Sequence, residues 1–235
     1  MSDTPASHSK RIRQLGVGAL VAIIIGVIVA ISVGGKDDAA PADTNLAGLD
    51  EATALFADIP QDGLVIGAPT APVTIDEYLD LQCPACARAS TRIVPDLVRR
   101  YVRTGQAKLV LHATDLVAGP DSRLGARALF AAGQQSRGAE FEHVLLANQG
   151  AERSGWLNDA IITNAAQRLG LDVAALDAAR TSGASDALVD QVNDTMRTKN
   201  YDTTPTFIVT GPEGERRIAS TLDLAEFAAA IAAVK

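Results

Sequence analysis

Cys83-Pro84-Ala85-Cys86 holds the only two cysteines among 235 residues, and this spacing constrains the chain more than any other feature. A bridge across so short a loop removes little freedom from the unfolded chain, since the entropic gain of a disulfide grows with loop length. Two cysteines also exclude a disulfide-rich scaffold. The pair therefore reads as chemistry rather than as a staple. Zinc would need about four ligands, and His112 and His143, the only body histidines, are not at ligand spacing. No metal and no cofactor is expected. An inert disulfide remains the other reading.

The context of the pair carries the argument. Val73-Thr-Ile-Asp-Glu-Tyr-Leu79 is rich in β-branched and aromatic residues and predicts a strand. A helical pattern follows from Cys83 to about Arg103, with Pro95 placed to kink it and Gly105 to end it. Ala107–His112 reads as a second strand, and strand–helix–strand of this length predicts a parallel βαβ unit. Cys83 then stands at a helix cap, where unpaired N–H groups and the helix dipole favour a thiolate. Pro84 falls on the first turn, where its missing N–H costs nothing. Cys86 lies one turn on and on the same side, placed to attack a mixed disulfide held on Cys83.

From Asp121 to Lys199 the pattern is helical throughout, with expected helices Ser122–Gln135, Ala139–Asn148, Trp156–Leu169, Val173–Arg180 and Asp186–Lys199. Strands return at Thr206–Thr210 and, across the turn Gly211-Pro-Glu-Gly214, at Glu215–Ala219. Leu222–Val234 reads as a closing amphipathic helix. The order is βαβ, a helical block, then ββα.

Residues 15–33 form an uncharged apolar run long enough to cross a bilayer as a helix. Lys10, Arg11 and Arg13 precede it, and the acids Asp37, Asp38, Asp43, Asp50, Glu51, Asp58 and Asp62 follow. The positive-inside rule then places residues 1–14 in the cytoplasm and the catalytic domain outside the cell membrane. A cleaved signal peptide is the alternative, with the same destination for the body. Gly18, Ala22, Gly26 and Ala30 form a row of small residues, as chance would also give in so Ala/Gly-rich a chain. Residues 34–63 are expected to be an acidic linker, with a weak helical patch near Glu51–Ala57. Much of the net charge of −7 sits there. The body, 64–235, carries no basic stripe, which argues against nucleic acid as a partner.

Thr74-Ile-Asp-Glu-Tyr-Leu-Asp-Leu-Gln-Cys-Pro-Ala-Cys86, Ala126-Arg-Ala-Leu-Phe-Ala-Ala-Gly-Gln134 and Thr204-Pro-Thr-Phe-Ile-Val209 resemble the DsbA-like thioredoxin-fold thiol–disulfide oxidoreductases. The resemblance covers roughly residues 64–235. It implies a thioredoxin-like α/β fold with an all-helical insertion at about 120–199. It implies that Cys83 is the nucleophile and Cys86 the resolving thiol, with Pro84 and Ala85 tuning the redox potential. It assigns Pro205 to a cis-proline loop facing the cysteines and Thr204 to backbone binding of the substrate. Glu77 matches a buried acid that could take the proton of Cys86, and Asp80 matches a second frequent acid; both also suit the polar end of a strand. Two departures stand out. Asn200-Tyr-Asp-Thr203 replaces a run that often holds glycine, and Pro-Ala replaces Pro-His between the cysteines. The second departure predicts a pair less oxidising than a Pro-His enzyme and more so than thioredoxin.

The activity implied is oxidation of cysteine pairs in exported proteins, with reoxidation by a membrane partner of the DsbB or vitamin K epoxide reductase type. A reductase or isomerase would use the same dithiol, although residues 34–63 are too short for a dimerisation domain. A non-catalytic binding module or holdase for unfolded chains is the reading from another class. Trp156 is expected to anchor helix packing, with a surface contact for substrate as the lesser reading, His112 to end a strand, and His8 to lie in a polar tail.

Overall fold

The computed structural model describes residues 45–219 and 223–235. The expected cytoplasmic tail 1–14, the apolar run 15–33, the first part of the acidic stretch and Leu222 lie outside the described residues. Among the described residues no helix is long and apolar enough to cross a membrane.

The strands are β1 (Gln61–Asp62), β2 (Val65–Ile66), β3 (Val73–Leu79), β4 (Ala107–Ala113), β5 (Thr206–Gly211) and β6 (Gly214–Ala219). They form one six-stranded sheet in the order β1-β2-β4-β3-β5-β6. β3 and β4 run parallel, as the βαβ reading requires, and every other neighbour is antiparallel. β3 matches its expected range. Side chains alternate between faces of a strand. Val73, Ile75, Glu77 and Leu79 thus share one face, inside the main apolar core, while Tyr78 on the other face packs with Val192, Met196, Tyr201 and Ile208.

The crossover is not one kinked helix. It runs as α2 (Pro84–Arg92), α3 (Val94–Leu97) and a π-helical turn, Val98–Val102. The break falls at Ile93 (φ −106°, ψ −49°), just ahead of Pro95, whose missing N–H and ring cannot continue the hydrogen-bond ladder. The helical block contains α4 (Pro120–Gly133), α5 (Gly138–Ala147), α6 (Asp159–Arg168), α7 (Val173–Arg180) and α8 (Gly183–Lys199). Each expected helix is present, with ends moved by a few residues. Arg123 ties this block to the sheet end through Asp115, Asp186 and Asp190. The closing helix α9 (Leu224–Val234) starts at the Asp223 cap, whose side chain accepts from Ala225 N–H at 2.8 Å.

The linker expected over 34–63 needs correction in its second half. Leu49–Phe56 is a regular helix, α1, and Ala52, Leu55, Phe56 and Ile59 are buried in the main core. Burying a large apolar side chain is worth ~1.5–3 kcal/mol, so these residues hold α1 to the body. Residues 61–62 and 65–66 then extend the sheet past β4. The acidic residues misled the reading because Asp50 and Glu51 occupy the first turn of α1, where a helix favours negative charge.

α5 is buried on every side, packed against α1, α2, α4 and α6. Apolar residues surround its axis, yet Glu140, Glu142 and His143 are interior with them.

Candidate active site

The turn from β3 into α2 presents the cysteine pair. Cys83 is the helix cap, in extended conformation (φ −83°, ψ 118°), and Pro84 occupies the first turn. Cys83 N–H donates to the Asp80 carbonyl at 2.9 Å, which folds the turn back on itself. Asp80 is fully buried and accepts from Gln82 N–H and Val117 N–H, both at 2.8 Å. Burial pushes its carboxyl up to about 6, against the pull of those N–H groups. It is a turn-former beneath the cysteines, more than the polar strand end the sequence allowed.

The two thiols are free and differ in environment. Cys83 keeps 7% of its surface and Cys86 none. As a thiol, Cys83 Sγ donates to the Thr204 carbonyl at 3.2 Å. As a thiolate it accepts from the Cys86 thiol first, then from the Thr204 side chain and the N–H groups of Cys86 and Ala85. These outweigh the cost of burial and bring it down to about 5. Cys86 moves the other way: burial, its hydrogen bond to Cys83 and the Cys83 charge all push its thiol up. A backbone N–H, from Asp80, approaches Cys86 Sγ at 3.5 Å. Attack by the first sulfur and shelter of the second follow from this difference.

Thr204–Pro205 is cis, and the hydrogen bond from Cys83 to the Thr204 carbonyl sets this turn against the pair. The departure just before them is absorbed locally. Asn200 ends α8 in the left-handed region (φ 54°), a conformation that Asn tolerates and that glycine would otherwise supply. Tyr201 is buried against Tyr78, and Arg217 lies over its ring at 5.0 Å. Arg217 also donates to the Asn200 carbonyl at 2.9 Å, so β6 pins the approach to Thr204.

Glu77 lies beneath the pair on the inner face of β3, fully buried, with neither carboxyl oxygen hydrogen-bonded. Burial, then the neighbouring Glu142, hold its carboxyl well above the usual range. Glu142 itself is buried and pushed up to about 8 by burial, against a hydrogen bond from Ser90. The structure thus places every residue the sequence singled out around one centre: Cys83, Cys86, Pro84, Ala85, Thr204, Pro205 and Glu77. It adds residues the sequence did not mark. Gln149 Nε2 donates to the carbonyls of Leu81 (2.8 Å) and Cys83 (3.1 Å), bracing the turn. Trp156, expected as a packing anchor or a substrate contact, donates from Nε1 to Gln82 at 3.0 Å beside that turn. Glu142 carried no local signal, because nothing in the pattern of α5 shows which face meets α2.

The sequence model of the thioredoxin family matches residues 60–233. The chain is 27% identical over 160 residues to the probable disulfide bond formation protein D of Bacillus anthracis, covering 66% of this chain and 67% of that protein. The fold is similar to that of oxidised BdbD from Bacillus subtilis, with a TM-score of 0.64 at 22% identity, covering 72% of this chain and 91% of that one. It is also similar to a thioredoxin-like oxidoreductase from Silicibacter pomeroyi, with a TM-score of 0.60 at 25% identity, covering 77% and 95% of the two chains. With the capped cysteine pair on its βαβ unit and the cis Thr204–Pro205 bond opposite, the chain belongs to the thioredoxin family, among its DsbA-like thiol–disulfide oxidoreductases.

Proposed function

We propose that the enzyme works as an oxidase of exported proteins, from a position outside the cell membrane. Cys83 is the nucleophilic sulfur, Cys86 the resolving one, and Glu77 the proton acceptor for Cys86. The observation that carries this is the opposed pair of thiols. A thiolate held at about 5 stabilises the reduced form, and a dithiol with a stabilised reduced form is an oxidant. A substrate thiolate attacks Cys83 of the oxidised pair, and Cys86 leaves and takes up a proton. A second substrate thiolate then displaces Cys83, which departs as its stable thiolate. An extended substrate segment pairs with the backbone at Thr204 in the manner of an added strand.

Residues 15–33 anchor the chain as a single span with residues 1–14 in the cytoplasm, on the charge asymmetry that flanks them. A membrane partner of the DsbB or vitamin K epoxide reductase type returns the dithiol to the disulfide. Equilibrating the Cys83–Cys86 pair with glutathione tests the direction: an oxidase has a potential well above thioredoxin's about −270 mV. A potential near thioredoxin's would make the chain a reductase. Client binding that survives loss of both cysteines, with no thiol oxidation by the intact chain, would make it a holdase. Protease added to intact spheroplasts tests the topology, which requires the body to be digested.

A further inference from the structure

Each turnover moves one proton into and one out of a site with no water-exposed group at Cys86. On reoxidation by a disulfide, Cys83 thiolate attacks one sulfur of the oxidant, and the other sulfur leaves as a thiolate. The Cys86 thiol then gives up its proton and its sulfur attacks Cys83 Sγ. The Cys83–Cys86 bond forms, the mixed disulfide breaks, and the second thiolate leaves. The proton left behind is inside the protein. Glu77 can take it, but Glu77 is itself fully buried and must pass it on.

Cys86 and Ser90 lie four residues apart on α2 and share the buried face that meets α5. Ser90 Oγ donates to Glu142 Oε2 at 3.1 Å and lies 3.5 Å from His143 Nδ1. His143 Nε2 has no hydrogen-bond partner and points toward Glu51 Oε2 of α1, 3.8 Å away. Glu77, Glu142, Ser90 and His143 are at most 2% exposed, whereas the Glu51 side chain is half in solvent. We propose that Glu142, Ser90, His143 and Glu51 form a proton path that connects Glu77 to solvent at the α1 face, so that Cys86 exchanges its proton away from the substrate-binding side. This rests on the role given above to Cys86 and Glu77.

In the outward direction Glu142 passes its proton to Ser90 Oγ as Ser90 gives its own to His143 Nδ1. The Glu77–Glu142 pair, now one proton short, takes the proton of Cys86. His143 then releases the proton on Nε2 to Glu51 or to water beside it. The inward direction reverses these steps when Cys86 leaves as a thiolate. Groups facing the path are Asp80 in the turn after β3, already hydrogen-bonded there, and Glu140 of α5, held by Arg137 at 2.8 Å and Gln61 at 2.6 Å; neither lies between Cys86 and Glu51. A purely structural role predicts something different. The Ser90–Glu142 hydrogen bond would then only join α2 to α5, and Gln would serve as well as Glu.

The test uses the reduced protein and oxidised glutathione, and follows mixed-disulfide formation and its resolution by Cys86 separately between pH 5 and 9. Glu142→Gln should slow resolution about tenfold near neutral pH, a fraction of the ~10²-fold that a direct proton-transfer group supplies. It should also displace the pH profile of that step. Ser90→Ala and the surface variant Glu51→Gln should slow resolution in the same sense, and added imidazole should restore His143→Ala in part. The protonated-carboxyl infrared band should change between reduced and oxidised wild type and lose amplitude in Glu142→Gln. Wild-type resolution rates and profiles in Ser90→Ala and Glu51→Gln, with the carboxyl band unmoved in any soluble Glu142 variant, would overturn the path while leaving the Cys83–Cys86 chemistry in place. A wild-type protein that forms no mixed disulfide at Cys83 would overturn both.

Discussion

The rim of the active site and its floor are built by different means. At the rim, backbone sets the geometry: a helix cap at Cys83, Pro84 on the first turn, and a cis-proline loop that brings the Thr204 carbonyl to 3.2 Å from Cys83 Sγ. At the floor, buried side chains from three elements meet: Cys86 from α2, Glu77 from β3 and Glu142 from α5. The rim lowers an acid's pKa and the floor raises three of them. One region holds charge and the other holds protons, and a dithiol oxidase needs both in adjacent sulfurs.

The largest effects should come from separating the two sulfurs. Cys83→Ser should abolish thiol oxidation, since the other thiol, Cys86, is fully buried. Cys86→Ser should accumulate mixed disulfides with substrate, visible on non-reducing gels. Iodoacetamide should modify Cys83 of the reduced protein near neutral pH far faster than Cys86. The reverse order of labelling would exchange the roles of rim and floor.

A smaller effect, with two opposite signs, is expected at Glu77. Glu77→Gln removes the proposed proton acceptor of Cys86 and should slow resolution by ~10²-fold. The same change should stabilise the protein, because a carboxyl ionised in the unfolded chain must be protonated to be buried. The gain in Tm should be larger at pH 8 than at pH 5. Slower resolution without that pH-dependent gain would mean that Glu77 is not the strained group this site requires.

The pH dependence of stability separates the two regions directly. Glu142, raised from 4.5 to about 8, contributes stability that is complete below pH 4.5 and is lost as pH rises through about 8. Glu77 acts in the same sense. Cys83, lowered from 9.0 to about 5, contributes stability that is complete above pH 9 and is lost as pH falls through about 5. Each proton can change stability by at most ~1.4 kcal/mol per pH unit. In the reduced protein the opposing slopes partly cancel between pH 5 and 8. The oxidised protein has no Cys83 thiolate and keeps the falling slope. The Tm of the reduced form should therefore rise relative to that of the oxidised form from pH 5 to 9, and a constant difference would contradict the thiolate at the rim.

The rim was legible in the sequence and the floor largely was not, for a physical reason. A cap, a first-turn proline and a strand before them are local, so Val73–Leu79 and Cys83-Pro-Ala-Cys86 specify one another within a few residues. Period-two alternation also puts Glu77 with Val73, Ile75 and Leu79, which points it into the core. Glu142 and His143 needed the packing of α5 on α2. Phe141, Val144, Leu145 and Leu146 put apolar groups all round that helix, so no polar face could be assigned. The sequence shows α1 only as a weak helical patch near Glu51–Ala57 and not its docking on the body, for a related reason: an acidic first turn resembles a solvated tether until Leu55 and Phe56 have a surface to bury against. Asn200 is the converse case. Its departure from glycine disturbs the loop little, because Asn also adopts the left-handed conformation required there.

The smallest expected effect lies at Ala85, between the two sulfurs. Its backbone N–H already supports the Cys83 thiolate, while its half-buried side chain offers neither donor nor charge. A histidine there would add a cation at the edge of the site. It would stand in competition with water, where a charge interaction is worth ~0.3–1 kcal/mol. One pKa unit corresponds to ~1.4 kcal/mol, so Ala85→His should lower the Cys83 thiol by less than about one unit. For a two-electron couple ~1.4 kcal/mol is ~30 mV, and the pair should become more oxidising by no more than that. Thiolate absorbance against pH measures the first and glutathione equilibration the second. If the thiolate is held by Cys86, Thr204 and the helix N–H groups, the response is this small. A response several times larger would mean that the side chain at 85, rather than the backbone and the floor thiol, sets how acidic the rim is.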